Sequence, residues 1–450
     1  MPFLVAIAIY AVRIARSPLD LRLKRRHAGP LTVAALGVTI YLAWDWLQPD
    51  GIARADFIGE FCGVAAVYLM TCSLVLATRL RPLEQWFGGL DRMYFFHKQY
   101  AIWSFPLLFP HALITGGDKE EGTAAQYSTE VAVAHELGAF AFMILLLLVV
   151  ISLARVGRLL RLRHAWWLFL HRLTGLLVIA ALVHGWILDP VIDGSPVLRA
   201  LYCLIGAVGT AAYAYDELIM RRRAPKAAYV VSAVDRPADD VVDLVLTPTA
   251  PAPLAVRGGQ FVYLRVGGHR AWREHPFTVA GVGPDGSVRL TVRALGRGTR
   301  RLYADLATGA PATLTGPYGM FDHTVGGARQ IWIAGGIGIA PFLGWITDRA
   351  DRDLPRADLF YCTRTADDAP FLPELAEEVE RHPGLSLHAV HSHRHGRLTL
   401  KEILTVTGPL PADVHVFLCG PARMVADLSL ALRRHGLSRH HVHAEHFAFR

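Results

Sequence analysis

Six stretches of about 20 predominantly apolar residues crowd the first 217 positions, at roughly 31 to 48, 57 to 78, 93 to 114, 131 to 153, 165 to 188 and 196 to 216. A run of that length crosses the hydrocarbon of a bilayer as an α-helix. Inside lipid the backbone must satisfy its own hydrogen bonds, which leaves helices or closed barrels. The first half is therefore expected to be an all-α bundle of six membrane spans. The chain as a whole is 53% hydrophobic with mean hydropathy +0.32, too apolar for a soluble protein and too polar for one buried in lipid throughout. A membrane half followed by a soluble half accounts for both.

The net charge of +8 would suit a nucleic-acid partner if it were clustered on one soluble face. It is instead partitioned along the membrane half. The N-terminal segment carries Arg13, Arg16, Arg22, Lys24, Arg25 and Arg26; the second-to-third loop Arg79, Arg81 and Arg92; the fourth-to-fifth loop Arg155, Arg158, Arg161 and Arg163; and the segment after the sixth span Arg221, Arg222, Arg223 and Lys226. The remaining loops hold only Arg54 and Lys119. Seventeen cations against two set the orientation by the positive-inside rule. Both termini and the soluble half are expected in the cytoplasm, at the plasma (inner) membrane, with no nucleic-acid partner. The first apolar run, PFLVAIAIYAV, is too short to span and lacks a basic leader and a cleavage site. Residues 1–29 are expected to form an interfacial cytoplasmic segment.

Four histidines lie within these spans: His97 and His111 in the third, His171 and His184 in the fifth. An imidazole in lipid is costly unless it faces the bundle interior and has a partner. Fourteen residues of helix rise about 21 Å and return to within about 40° of the starting direction, so His97 and His111 share a face near opposite membrane edges. Thirteen residues rise about 19.5 Å but end about 140° away. The fifth span is therefore expected to be irregular, with Gly175 supplying some give, or the two metal centres are rotated relative to one another. Both spans run outward, which pairs His97 with His171 on the inner side and His111 with His184 on the outer. Two stacked b-type haems are the metal centres expected there. Arg172 and Lys98 are candidate partners for inner haem propionates and Arg54 for the outer side; as a long cation at a span end, Arg54 also suits a plain snorkelling role. His135 has no matched second histidine and is read as a packing residue. The five cysteines, Cys62, Cys72, Cys203, Cys362 and Cys419, show no CxxC or ferredoxin-like spacing, which argues against zinc, iron–sulfur centres and disulfides.

After RRRAPKAA the sequence changes to short strand-like runs, AAYVVSAV, VVDLVLT, QFVYLRV, FTVAGV and VRLTVRAL, the pattern of a small antiparallel barrel. From RQIWIAGGIGIAPFLGWI onward, apolar strands alternate with amphipathic helices, the pattern of a parallel α/β sheet. GGIGIAP ends a buried strand and opens a helix, where free N–H groups and the helix dipole favour a pyrophosphate. The histidine-rich segments HSHRH (391–395) and HHVHAEH (440–446) are read as solvated surface.

The ordered set HPFT (275–278), ALGRGT (294–299), GPYG (316–319), GGIGIAPF (335–342), YCTR (361–364), CGP (419–421) and terminal HFAFR, preceded by two histidine pairs at spacings of 14 and 13, resembles the NADPH oxidase and ferric reductase transmembrane family. The dehydrogenase part of that family is built like ferredoxin–NADP reductase, and the likeness covers nearly the whole chain beyond the first 30 residues. The resemblance implies a bacterial, multidomain membrane protein: residues 30–217 a six-span haem domain, 225–322 an antiparallel β-barrel FAD domain, and 327–450 a parallel α/β, Rossmann-like NAD(P)-binding domain. It implies that His275, Pro276, Phe277 and Thr278 line the flavin, with Thr278 at its reactive edge, and that Arg293, Gly296 and Thr299 meet the FAD pyrophosphate. Gly335, Gly336, Ile337, Gly338 and Pro341 would hold the nucleotide diphosphate. Thr363 and Arg364 would meet the adenosine ribose, an arginine favouring the 2′-phosphate of NADPH over NADH. Cys419, Gly420 and Pro421 would sit at the nicotinamide, and Phe447 would cover the isoalloxazine face. Thr278, Cys419 and Phe447 are the residues implied nearest the chemistry.

The function implied is electron transfer from cytoplasmic NAD(P)H through FAD and two haems to an external acceptor. Dioxygen, giving superoxide, is the first expectation; a ferric chelate or a dedicated extracytoplasmic partner protein is the alternative. Oxidases of the family carry a further histidine about one turn after the outer ligand, where this chain has Thr115. No calcium-binding loop or proline-rich tail is present, so no obligatory protein partner is expected.

Overall fold

The computed structural model describes residues 27–115, 129–152, 164–220, 226–267, 274–348 and 354–445. Phe447, the N-terminal segment up to Arg26, most of the third-to-fourth loop and the arginines of the fourth-to-fifth loop lie outside the described residues. The chain divides into two compact units, residues 1–222 and 223–450.

The first unit is helical. Its elements are α1 (Ala28–Trp46), α2 (Arg54–Ala77), the short α3 (Arg81–Phe87), α4 (Leu90–Thr115), α5 (Thr129–Ser152), α6 (His164–Arg172), α7 (Thr174–Leu188), the short α8 (Pro190–Gly194) and α9 (Pro196–Ala214), which runs on as a π-helical turn, Tyr215–Met220. Among the described residues five segments are long and apolar enough to cross a membrane: α1, α2, α5, Trp166–Leu188, and α9 with its π extension. The expected sixth, α4, is the longest helix at 26 residues. It falls short on composition because Lys98, Gln99, Pro106, Pro110 and His111 dilute its apolar run. Asp189 caps α8, accepting from the backbone N–H of Val191 and Ile192, and Ser195 caps α9. These caps turn the chain sharply between the fifth and sixth long helices.

The fifth segment is interrupted, the first of the two arrangements expected from its 13-residue spacing. Helix α6 stops at Arg172 and α7 starts at Thr174. Across the break Leu173 N–H donates to the Leu170 carbonyl and Leu176 N–H to that of Leu173, both at 3.0 Å. These i→i−3 bonds wind the chain at about 120° per residue in place of about 100°. Each such residue adds about 20° and narrows the angular offset between His171 and His184. The break falls at Leu173, not at Gly175. Gly175 serves packing, since a Cβ there would lie 2.3 Å from the Tyr213 ring.

The second unit begins with a closed barrel of β1 (Lys226–Ala238), β2 (Val241–Pro248), β3 (Phe261–Val266), β4 (His275–Val282), β5 (Val288–Arg293), helix α10 (Arg297–Asp305) and β6 (Pro311–Tyr318). Its strand order is β1-β2-β5-β4-β3-β6. Alternation places Val242, Leu244 and Leu246 of β2 against Leu290 and Val292 of β5 inside. The sixth strand was not among the five expected. It carries the GPYG segment and closes the barrel by pairing with both β1 and β3.

Next come β7 (Arg329–Gly335), α11 (Ala340–Thr347), β8 (Arg356–Thr363), α12 (Leu372–Arg381), β9 (Leu385–His391), the turn-length α13 (Ser392–His395), α14 (Leu400–Thr407), β10 (His415–Cys419), α15 (Ala422–Arg434) and β11 (Val442–Glu445). The sheet order β11-β10-β7-β8-β9 is parallel throughout. Strand β7 is central and buried from Gln330 to Gly335, as expected for a parallel strand covered on both faces. The chain moves outward from β7 through β8 to β9, then returns to β10 on the other side. That makes the carboxyl edge between β7 and β10 the topological switch point, where ligands bind in open α/β sheets.

Candidate functional site

In the membrane unit the two histidine pairs face each other. The ring centroids of His97 and His171 are 6.0 Å apart with planes at 81°; those of His111 and His184 are 6.1 Å apart at 88°. Two imidazoles bound axially to one iron, at metal–nitrogen bonds of about 2.0 Å, have centroids about 6 Å apart. The pairing expected from the spacing is therefore present at both levels.

Three of the four rings are anchored through Nδ1. His111 donates to the Gly59 carbonyl at 3.1 Å and His184 to the Ala134 carbonyl at 2.8 Å. His97 donates to the Ser73 carbonyl at 2.9 Å and meets the Ser73 hydroxyl at 2.8 Å. A hydrogen bond donated from Nδ1 fixes the tautomer and leaves Nε2 able to bind a metal. One turn beyond two of these acceptors stand glycines: a Cβ at Gly63 would lie 2.8 Å from His111 Nδ1, and one at Gly138 2.3 Å from His184 Nδ1. Helices α2 and α5 thus present a bare backbone patch into which each ring fits. Among the described residues no group of three or more His, Cys, Asp or Glu gathers for a metal ion. A metal held between two facing imidazoles would have two protein ligands, which would suit haem iron, whose macrocycle supplies the rest.

Several of the surrounding polar groups have partners within the protein. Arg172, read as a propionate partner, is held by Glu217 of the π-helical turn through Nε at 2.8 Å and through Nη2. Arg54 donates to Asp45 at 3.0 Å with most of its side chain exposed, as a snorkelling interfacial cation would. Among the described residues Lys98 has no ion-pair or hydrogen-bond partner. The His135 ring, read as a packing residue, lies 6.5 Å from that of His184, and buried Glu60 approaches His111 Nδ1 at 3.9 Å. Neither showed in the spacing, because each is a single polar residue in an apolar run. Thr115 donates its hydroxyl back to the His111 carbonyl at 2.8 Å.

In the second unit the glycine motifs come together at the switch point. Strands β7 and β10 pair Ala334 with Cys419, which sets the GGIG turn beside the CGP turn. A Cβ at Gly338 would lie 2.3 Å from the Cys419 carbonyl oxygen, and one at Gly335 2.6 Å from Pro421. Gly336 has φ +54, the left-handed region that glycine adopts without cost. Ile337 and Pro341 follow in the same turn and at the head of α11. Cys419 is buried in the domain core, its Sγ 3.9 Å from Glu445 Oε2, and burial pushes its thiol well above the ordinary range. Glu445, missed in the sequence, arrives through the parallel pairing of β10 with β11.

On β8, Thr363 donates to the Thr365 carbonyl at 2.7 Å and meets His391 Nδ1 at 2.9 Å. Arg364 stays largely exposed beside Asp368 at 3.3 Å. The Thr365 hydroxyl, with Arg364, holds the Asp368 carboxyl below its ordinary range. HSHRH is exposed from His393 onward, but His443 of HHVHAEH is buried, bonded to His415 at 2.9 Å and stacked on Phe417. The surface reading fails for His443 because β11 is a sheet strand.

In the barrel, Thr278 on β4 is 4% exposed, and its hydroxyl is among the buried side-chain atoms with no hydrogen-bond partner among the described residues, as are those of Thr291 and Thr315. Such orphans are rare in folded proteins, and one on the HPFT strand suits a bound polar group. Pro276 and Phe277 pair with Tyr263 and Val262 of β3. Tyr263, Phe261 and Tyr318 form an aromatic cluster beside that strand. A Cβ at Gly298 would lie 2.7 Å from His275 Nε2, so the HPFT histidine abuts the first turn of α10. There Gly296 N–H donates to the Thr299 hydroxyl at 2.9 Å. Arg293 donates to Asp240 at 2.7 Å and its guanidinium approaches Gly336, placing it at the seam with the GGIG turn.

Residues 62–182 match the ferric reductase like transmembrane component family, 226–323 an FAD-binding domain family, and 332–429 the oxidoreductase NAD-binding domain family. The chain joins a ferric reductase like transmembrane component to the FAD- and NAD-binding domains of an oxidoreductase. The helical unit, the closed barrel and the parallel sheet are its membrane, FAD and NAD(P) parts, and it transfers electrons from NAD(P)H through FAD. Among curated relatives this reductase is similar to the carnitine monooxygenase reductase subunit of Escherichia coli (strain K12), 27% identical over 48% of this chain and 67% of that protein. The corresponding subunit of Acinetobacter baumannii is 31% identical over 31% of this chain and 42% of its own length. The chain thus spans less than half of the second relative. Among solved structures, the Amycolatopsis cytochrome P450 reductase is 26% identical over 50% of this chain and 70% of that one, with a TM-score of 0.43.

Proposed function

We propose that this reductase carries electrons from cytoplasmic NAD(P)H across the plasma membrane to dioxygen on the far side, releasing superoxide. The carrying observation is the pair of facing imidazoles at each membrane level, 6.0 and 6.1 Å between centroids, which supports two haems b. The cytoplasmic side for both termini and the dehydrogenase part rests on the seventeen-to-two division of cations. Domain limits at 30–217, 225–322 and 327–450 follow the same reading.

When bound, FAD takes the two electrons of the hydride and the haems pass them on singly. The chain's own residues bind and orient. The GGIG turn offers backbone N–H groups to the nucleotide diphosphate. Arg364 and Thr363 meet the ribose, and Arg364 selects the 2′-phosphate. Thr278 directs its orphaned hydroxyl at the flavin edge, while buried Cys419 and Pro421 shape the nicotinamide pocket. His275, Gly296 and Thr299 receive the FAD pyrophosphate at the first turn of α10. His97 with His171 and His111 with His184 clasp the two irons. Phe447 covers the flavin until nicotinamide arrives.

The relatives favour a second reading. Two are named as reductase subunits of a monooxygenase, and on this reading the electrons go to a protein partner in place of dioxygen or a ferric chelate. NAD(P)H-driven reduction of cytochrome c by the purified protein, with and without superoxide dismutase, separates them. Dioxygen as acceptor predicts reduction that dismutase abolishes; reduction insensitive to dismutase sinks that reading.

A further inference from the structure

Of the four facing histidines, His171 is held differently. The other three each donate Nδ1–H to a backbone carbonyl. Among the described residues no acceptor lies against the ring of His171. In its place the Trp167 indole lies parallel to the imidazole, 5.0 Å between centroids and 9° between planes. Trp167 precedes His171 by four residues on α6, so the two share a helix face. The indole is itself tethered: its Nε1–H donates to the Ser152 hydroxyl at 3.0 Å, and that hydroxyl donates to the Leu148 carbonyl at 2.7 Å. A chain of contacts therefore runs from the end of α5 through Trp167 to one ligand ring.

An acceptor on Nδ1–H does two things for a ligating imidazole: it fixes ring orientation and strengthens donation from Nε2. Stronger donation favours the ferric state, so hydrogen bonding around axial ligands moves a haem's potential. The outer pair has two such anchors and the inner pair one. Ring orientation at His171 must then come from the stack.

We infer that Trp167, tethered by Ser152, is the positioning residue for His171, and that the inner haem has the higher midpoint potential of the two. The inference rests on the two-haem reading given above.

The test uses the full-length purified protein and reads haem content by pyridine haemochromogen, the low-spin ferric electron paramagnetic resonance signals, and a potentiometric titration. In the parent the inner centre, assigned by its loss in His97→Leu, titrates at the higher potential. Trp167→Leu keeps two haems but shifts the inner resonance and midpoint and leaves the outer signal in place. Trp167→Phe, which keeps a stacking ring but loses the Nε1–H tether, moves the inner resonance only as far as Ser152→Ala does. Ser152→Ala, which leaves ring and ligand intact, moves the inner resonance in the same direction as Trp167→Leu by a smaller amount, and serves if Trp167→Leu does not fold. An inner signal unmoved in Ser152→Ala and Trp167→Leu, equal movement of both signals, or an outer centre at higher potential overturns the inference. A parent protein without haem overturns the two-haem reading instead.

Discussion

The bare backbone patch under His184 makes Gly138→Ala the most informative single substitution. The new Cβ would sit 2.3 Å from Nδ1 and 2.5 Å from Cε1 of that ring, where ordinary contact begins at 3.4 Å. The ring must retreat by about 1 Å, the difference between those distances. Its acceptor, Ala134, lies one turn earlier on the same helix, at 2.8 Å. A retreat from α5 of that size carries the hydrogen bond beyond about 3.5 Å, where it no longer counts as one. A metal–imidazole bond tolerates only about 0.2 Å, so the outer centre is lost. The cost to folding is modest: about 1 kcal/mol for the hydrogen bond and about 1–3 kcal/mol for overpacking. The inner pair, about 20 Å away along the helices, is untouched. Haem per chain should fall from two to one by pyridine haemochromogen, with FAD retained. Gly37→Ala is the control, since its Cβ meets only the Tyr68 ring edge, at 3.3 Å, and it should keep both. Two haems with unchanged spectra in Gly138→Ala would refute the reasoning. Loss of both centres together would show that the glycine serves the whole bundle.

Other outcomes follow from the soluble unit. Arg364→Ala should raise the KM for NADPH about 10- to 100-fold, the worth of a charge-assisted hydrogen bond of about 1.5–3 kcal/mol, and leave that for NADH unchanged in steady-state flavin reduction. Thr278→Val should retain FAD yet slow its reduction by NAD(P)H about tenfold in stopped flow, the loss of one hydrogen bond near 1.4 kcal/mol; an unchanged rate would remove the hydroxyl from the flavin edge. Asp243 is bound by Arg289 and burial pushes its carboxyl up to about 6, from about 3.9 in an unfolded chain. The native state holds that proton more tightly, so the contribution to stability is present below about pH 4 and lost as pH rises through about 6. The parent's thermal midpoint should therefore gain on that of Asp243→Asn as pH falls from 6 to 4, and a constant difference would contradict this.

Much of this architecture is legible in the sequence. Apolar runs of span length, strand runs with period two and glycines at strand-to-helix turns are local signals, and helices, barrel and parallel sheet formed where they lay. Histidine spacing pointed to an irregular fifth span or to rotated metal centres, and the break at Leu173 realises the first. What stayed hidden was relational. Gly63 and Gly138 look like any membrane glycine until a ring from another helix is set against them. Arg172 looked available until the π-helical turn brought Glu217 to it. Glu445 meets Cys419 only through strand pairing, and β6 was masked by its turn-like GPYG end.

The most direct test is anaerobic addition of NADPH to the purified protein, following flavin and haem absorbance together with the haem count. The account predicts two haems b per chain, with haem reduction following flavin reduction. Flavin that bleaches in a protein containing no haem b would contradict it.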